Sequence, residues 1–96
     1  MYRDDPLDDE FELRELLGDD AVDHLGDTEL PGERTPVEAA VDVLRVLQGW
    51  VSDDAAARWF LTQQRRLEGE RPVDLLRRGA FEDVEEAARI WAAAQG

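Results

Sequence analysis

The part of this chain that most restricts its fold is residues 59–79, WFLTQQRRLEGERPVDLLRRG, in which two Gly and one Pro separate apolar helical segments. Gly69 and Gly79 can adopt the positive φ angle that ends a helix. Pro72 suits the first turn of a helix, where its missing N–H would have no partner. This part of the chain therefore predicts a helix, a turn, a short helix from Pro72 to about Arg78 and a second turn.

The clearest helix start lies at Thr35, which is followed by Pro36, Val37 and Glu38. This order is a capping box: the Thr hydroxyl accepts from the third helical amide, and the Glu carboxylate accepts from the amide of the capping residue. From residue 37 onward, apolar residues recur at helical spacing around much of the circumference. We expect this helix to be the most buried of the fold and to end near Gly49.

Four further helical segments follow from caps and apolar spacing. Asp8 or Asp9 can cap a first helix that Gly18 ends, and its predicted buried residues are Phe11, Leu13, Leu16 and Leu17. A short turn of helix is expected over residues 19–25. Ser52 caps a helix expected to reach the Arg pair at 65–66, with Trp59, Phe60 and Gln63 on its inward side. The last helix, about residues 82–94, places its apolar residues at i, i+3, i+4 and i+7.

No segment alternates apolar and polar residues convincingly, so the predicted fold class is all-α, a small bundle of five or six short helices. We predict a mobile acidic N-terminal arm over residues 1–10, because this segment repels itself and has little to bury. Residues 11–34 then form a helical segment and a loop, and residues 35–96 form the main helical domain.

The composition leaves few groups for chemistry. The chain has no Cys, no Lys, one His and one Ser, so disulfides, thiolate metal sites and cysteine nucleophiles are excluded. His24 and Ser52 would have to meet by folding, and we expect His24 to be a helix-end residue with a structural role. The clustered Asp residues lack the alternating spacing of a calcium loop. We therefore expect no enzyme, no catalytic residue, no metal and no cofactor.

The sequence also indicates a compartment. The chain contains no apolar run long enough to span a bilayer and begins acidic instead of carrying a basic and apolar leader, so we expect a cytoplasmic protein. All eleven basic residues are Arg. A high-GC genome and adaptation to high salt both explain this usage, and both explanations stay open.

Charge is distributed unevenly along the chain. Of the net charge of -13, residues 1–34 contribute -10, from thirteen acids and three Arg, and residues 35–96 contribute -3. Residues 58–78 reverse the sign, with six Arg against three acids. A field this negative opposes direct nucleic-acid binding. The Arg residues either lie on solvated helix faces beside acids or bind an acidic or phosphate-bearing partner. The half of the chain after residue 50 contains seven of them: Arg58, Arg65, Arg66, Arg71, Arg77, Arg78 and Arg89.

Several residues of this half together resemble the toxin-binding domain of Xre/MbcA/ParS-type antitoxins. The residues that carry the resemblance are Trp59, Leu67, Gly69, Pro72, Leu75, Leu76, Gly79 and Val84. The match is loose over residues 37–96 and closer over residues 59–84. Phe60 and Glu68 stand where the family usually has Leu and Gly, and the family's Pro after the Trp-Leu pair is missing from residues 62–64.

This resemblance implies an all-helical module that binds a cognate toxin, often a RES-type enzyme that consumes NAD, and covers its active site. We expect the partner to contact the short helix and the last helix, at Arg77, Arg78, Phe81, Arg89 and Trp91. The alternative is an acidic decoy or adaptor, in which residues 1–34 mimic nucleic acid or dock on a basic surface. An uncovered apolar face in so short a chain would favour a homodimer.

Overall fold

The computed structural model of the chain describes residues 6–26 and 35–95. Within these ranges the chain is all-α, as predicted, and contains no strand. Six α-helices follow one another: α1 (Pro6–Leu17), α2 (Asp19–Leu25), α3 (Pro36–Gln48), α4 (Asp53–Leu61), α5 (Pro72–Arg77) and α6 (Phe81–Gln95), with a single 3₁₀ turn (Arg65–Leu67) between α4 and α5. None of the described helices combines the length and the apolar character that crossing a membrane requires.

The central helix α3 begins as the sequence predicts. The amide of Glu38 donates to Thr35 Oγ1 at 3.1 Å, and the amide of Thr35 donates to Glu38 Oε1 at 2.9 Å, so the capping box is confirmed. Val43, Leu44 and Leu47 are wholly buried. Because apolar residues cover most of its circumference, α3 contacts all five other helices.

The helices interleave along the chain. Each of the first three packs against the helix three places later: α1 against α4, α2 against α5, and α3 against α6, which is the most extensive contact of all. Leu13 of α1 and Leu25 of α2 lie in the same core cluster as Phe60 and Val84. Residues 11–26 therefore share one core with the helical region after residue 35.

Two expectations for the N-terminal helix need correction. The helix begins at Pro6, before the position near Phe11 where we expected order to start, and residues 1–5 of the predicted arm lie outside the described residues. Phe11 itself is 63% exposed, whereas Leu13 and Leu17 are buried. Two positions along a helix correspond to about 200° of rotation, so Phe11 points away from the core that Leu13 faces.

The helix that contains Trp59 is also shorter than expected. It ends at Leu61, because Thr62 and Gln64 adopt extended backbone angles. The Gln64 side-chain amide donates to the carbonyls of Trp59 at 3.1 Å and Thr62 at 3.0 Å, which satisfies acceptors left open at the helix end. Gln63, expected on the inward side, is exposed. The Arg pair at 65–66 belongs to the 3₁₀ turn.

Candidate binding groove

A surface groove of about 550 Å³ lies between residues 64–70, α5 and α6. We call it the α6 groove. Its apolar residues are Leu67, Leu75, Ala87 and Ile90; its charged residues are Arg66, Glu68, Glu70, Arg78, Asp83 and Glu86. The α6 groove thus forms within the part of the chain that carries the antitoxin resemblance.

One wall of the groove is a tight turn that hydrogen bonds close on itself. The amide of Gln64 donates to the carbonyl of Glu70 at 3.0 Å, and the amide of Gly69 donates to the carbonyl of Gln64 at 2.9 Å. The chain reverses at Glu68 and Gly69, whose φ angles are 59° and 82°. Leu67, just before the reversal, points into the core and is 6% exposed. The wall is therefore a fixed element of the fold.

The chain reversal requires a left-handed backbone conformation at Glu68, and few residue types favour this conformation. Asn adopts that region more readily than Glu does, so we expect Glu68→Asn to stabilise the fold by about 0.5 kcal/mol. In a domain of this size such a gain raises the melting temperature by about 2 to 4 °C in a thermal unfolding experiment. Glu68→Gln removes the same charge without the conformational preference and is the matched control. Equal melting temperatures for the two variants would contradict the conformational explanation.

The floor and far wall of the groove come from one face of α6. Asp83, Glu86, Ala87 and Ile90 are spaced i, i+3, i+4 and i+7, which places them on the same side of the helix. Ala87 is 5% exposed and Ile90 is 37% exposed. A second, wholly buried stripe, which includes Val84, packs into the core. Helix α6 consequently has a buried apolar stripe and, beside it, a face toward the groove that combines two acids with the exposed aliphatic residue Ile90.

The charges around the groove are partly neutralised. Arg78 Nη2 lies 3.2 Å from Glu70 Oε1, so these two exposed lining residues form an ion pair. Arg66, Asp83 and Glu86 form no ion pair with any residue that the structure describes. The α6 side of the groove is therefore acidic, and Arg66 is the unpaired cation of the turn side.

Of the five residues expected at a partner interface, the structure places only Arg78 in the groove. Arg77 and Arg89 are exposed outside it. Trp91 is half-buried, with its ring centroid 6.0 Å from that of Trp59. The expected exposure of Phe81 is wrong: as the first residue of α6 it turns into the core and is 3% exposed.

Ile90 lines the groove but is not among the residues that we expected at a partner interface. Ile90 lies three residues after Ala87 and seven after Asp83, so these three residues share one face of the helix. Val84 and Ala88 lie on a different face, which is directed at the core. A single exposed aliphatic residue is ordinary on a protein surface, and Ile90 is of interest because it lines the groove.

The residues that carry the resemblance have structural roles. Gly69 and Gly79 both adopt positive φ angles, of 82° and 88°. Leu75 is half-buried at the groove, and the remaining five are buried: Trp59, Leu67, Pro72, Leu76 and Val84. Glu68 has a left-handed conformation, which a Gly would adopt at this position at no steric cost.

His24 and Ser52, the residues that a catalytic pair would need, are engaged separately. His24 Nε2 lies 2.7 Å from Asp74 Oδ1, which links the end of α2 to α5. The Ser52 hydroxyl accepts from the amide of Ala55 at 3.2 Å and caps α4. Arg71 donates to both carboxylate oxygens of Asp74, and this pairing holds the pKa of the Asp74 carboxyl below its ordinary value. The ionised carboxylate thus joins two helices.

Acids of the N-terminal helix are engaged in the same way. Arg45 of α3 donates to Asp9 at 2.6 Å and to Glu12 at 2.9 Å. The amide of Gln48 also donates to Glu12, and this hydrogen bond, supported by Arg45, lowers the pKa of the Glu12 carboxyl. These acids fasten α1 to the central helix. Part of the N-terminal acidity is therefore structural.

A second groove, of about 580 Å³, lies between α1, α2 and α3. Its edge includes Gly26 and Thr35, the two residues that flank the undescribed segment 27–34. The α6 groove is bounded by described residues throughout, and for this reason we take it as the candidate site.

Comparison of the chain with protein-family models, with curated proteins and with solved structures yields no match.

Proposed function

We propose that this chain is a protein-binding module of the antitoxin type, which neutralises a cognate toxin by covering the toxin's active site. The observation that carries the proposal is the α6 groove, where an exposed aliphatic residue, Ile90, lies above a floor of apolar side chains. A surface of this kind suits an interface, because a few apolar anchors inside a polar rim supply most binding energy in protein complexes.

The surroundings of the groove support this proposal. The turn is closed by its own hydrogen bonds, and α6 is held on the core by the contact between Trp91 and Trp59. A surface fixed in advance loses little conformational entropy on binding. Arg66 on the rim can pair with a partner carboxylate or phosphate through its planar guanidinium group. The mechanism we propose is steric occlusion by a rigid surface.

The alternative function, an acidic decoy, has less support. It requires the N-terminal acids to be free for a basic partner, but Asp9 and Glu12 pair with Arg45. Arg14 in turn lies within 3.3 Å of carboxylate oxygens of Glu10, Asp19 and Asp23. Acids that already have cationic partners within the fold offer less charge to a second molecule.

The decisive experiment uses the open reading frame adjacent to this gene. We expect its product to arrest growth when expressed alone and to be harmless when this chain is expressed with it. For a RES-type toxin, cellular NAD should fall in the first case and recover in the second. A neighbouring product that is not toxic, or one that stays toxic beside this chain, would contradict the proposal.

Two variants test whether neutralisation depends on the groove. Ile90→Asp places a charge among the apolar residues of the groove, and we expect it to abolish growth rescue. Phe11→Asp is the matched control, because Phe11 is also exposed but lies on α1, which contributes no residue to the groove. Circular dichroism should show both variants folded. Rescue by the Ile90 variant at the level of the control would place the interface elsewhere.

A further inference from the structure

The exposed face of α6 combines an aliphatic residue with two carboxylates. Asp83, Glu86 and Ile90 lie on successive turns of the same face, over a rise of about 10 Å. Asp83 and Glu86 are exposed and accept no hydrogen bond from any described residue. Both carboxylates are therefore available to a molecule that occupies the groove.

The opposite side of the groove does not offset this charge. Glu70 and Arg78 form an ion pair at 3.2 Å, and the other charged residues on that side are one cation, Arg66, and one acid, Glu68. The lining as a whole has four acids and two Arg, so its net charge is -2, and the excess comes from Asp83 and Glu86 on α6. The molecule that carries this groove has a net charge of -13, which attracts cations from a distance.

We propose that the α6 groove binds a basic amphipathic helix of the partner protein. Its aliphatic side chain would contact Ile90 and Ala87, and its Lys or Arg residues would pair with Asp83 and Glu86. A helix fits because the two acids and Ile90 repeat at helical spacing, so a second helix laid along α6 meets all three from one face. This inference rests on the proposed function, in that it takes the groove as the protein-binding surface.

The same chemistry argues against two other occupants. A second copy of this chain would bring the same acidic stripe and the same net charge of -13 to the contact, which opposes association. A nucleic acid would bring phosphates against Asp83 and Glu86. A protein segment with both apolar and basic side chains can contact the apolar residues of the groove and pair with its acids.

The test uses the full chain, labelled with ¹⁵N, and two synthetic peptides of about 15 residues that are long enough to be helical. One peptide carries Leu at i and i+4 flanked by Arg, and the other replaces every Arg by Glu. We expect the Arg peptide to shift the amide signals of Leu67, Ala87 and Ile90. The Glu peptide should leave these signals unchanged. Equal binding of both peptides, or shifts confined to α1 and α2, would overturn the proposal.

Charge-reversed variants separate local recognition from general attraction to an acidic protein. We expect the double variant Asp83→Arg and Glu86→Arg to weaken binding of the Arg peptide by about tenfold or more at about 50 mM salt. The control is Glu15→Arg with Asp20→Arg, which changes the net charge equally and, like the test pair, includes one first-turn acid. Equal weakening in the two double variants would mean that only the overall charge matters, and would overturn the proposal.

The growth assay distinguishes failure of this inference from failure of the proposed function. Neutralisation of the toxin that survives reversal at Asp83 and Glu86, with the fold intact, would overturn the basic-helix proposal and leave the antitoxin proposal standing. A harmless neighbouring product together with specific binding of the Arg peptide would overturn the antitoxin proposal and leave the basic-helix proposal standing.

Discussion

Replacing Phe60 by Ala is expected to cost about 3 to 5 kcal/mol of folding free energy, which is a large share of the stability of a domain this small. Phe60 is wholly buried, and its ring meets that of Trp59 edge to face with centroids 5.8 Å apart. Removing the ring leaves a cavity that the surrounding helices can fill only in part. Thermal unfolding followed by circular dichroism should show a melting temperature lower by about 20 °C, or no cooperative transition.

Phe11→Ala is the control for this variant, because it deletes the same atoms from a side chain that is 63% exposed. Its effect should stay within about 0.5 kcal/mol, as for other surface substitutions. A loss at residue 11 comparable to that at residue 60 would mean that Phe11 is covered in solution, for example by a second copy of the chain. Sedimentation equilibrium would then identify the dimer.

Salt is expected to stabilise this protein strongly. The chain carries a net charge of -13, and the structure measures 30 × 30 × 24 Å. At about 0.01 M ionic strength the screening length is about 30 Å, so every charge is repelled across the whole molecule; at about 1 M it falls to about 3 Å. Because unfolding separates the charges, their repulsion destabilises the compact state, and screening should recover free energy on the order of 3 to 5 kcal/mol.

The measurement is the free energy of unfolding from urea titrations, since urea is uncharged and leaves the ionic strength unchanged. NaCl and KCl should give the same curve, because screening depends on ionic strength alone. Different curves for the two salts would indicate bound ions. A free energy that is flat or decreasing with salt would show that the excess acids do not oppose folding.

The starts and ends of helices could be predicted from the sequence where a local interaction determines the backbone conformation. The Thr35 capping box and the breaks at Gly69 and Gly79 depend on neighbours within a few residues, and the structure shows each of them. The end of α4 was not predictable in this way. It depends on Gln64 turning back to the Trp59 carbonyl, a contact in a turn that packs against α6.

The candidate site was harder to predict, because exposure is decided by packing between distant segments. Phe81 and Ile90 are both large apolar residues of α6, and spacing alone does not say which stripe the fold covers. The answer depends on where α3 and the 3₁₀ turn lie against α6. We expected Phe81 at the interface, whereas the structure buries it and leaves Ile90 at the surface.

The pairing of each early helix with the one three places later has a consequence for synthesis. The chain is made from its N-terminus, so α1, α2 and α3 can pack on one another before α4, α5 and α6, the helices three places later, have been made. Leu13, Leu25 and Leu44 therefore lack some of their final packing contacts while the second half of the chain is translated. The most extensive pair, α3 with α6, can form only after α6 has been translated. The shared core of the described helices is therefore completed late, when the last of the six helices becomes available.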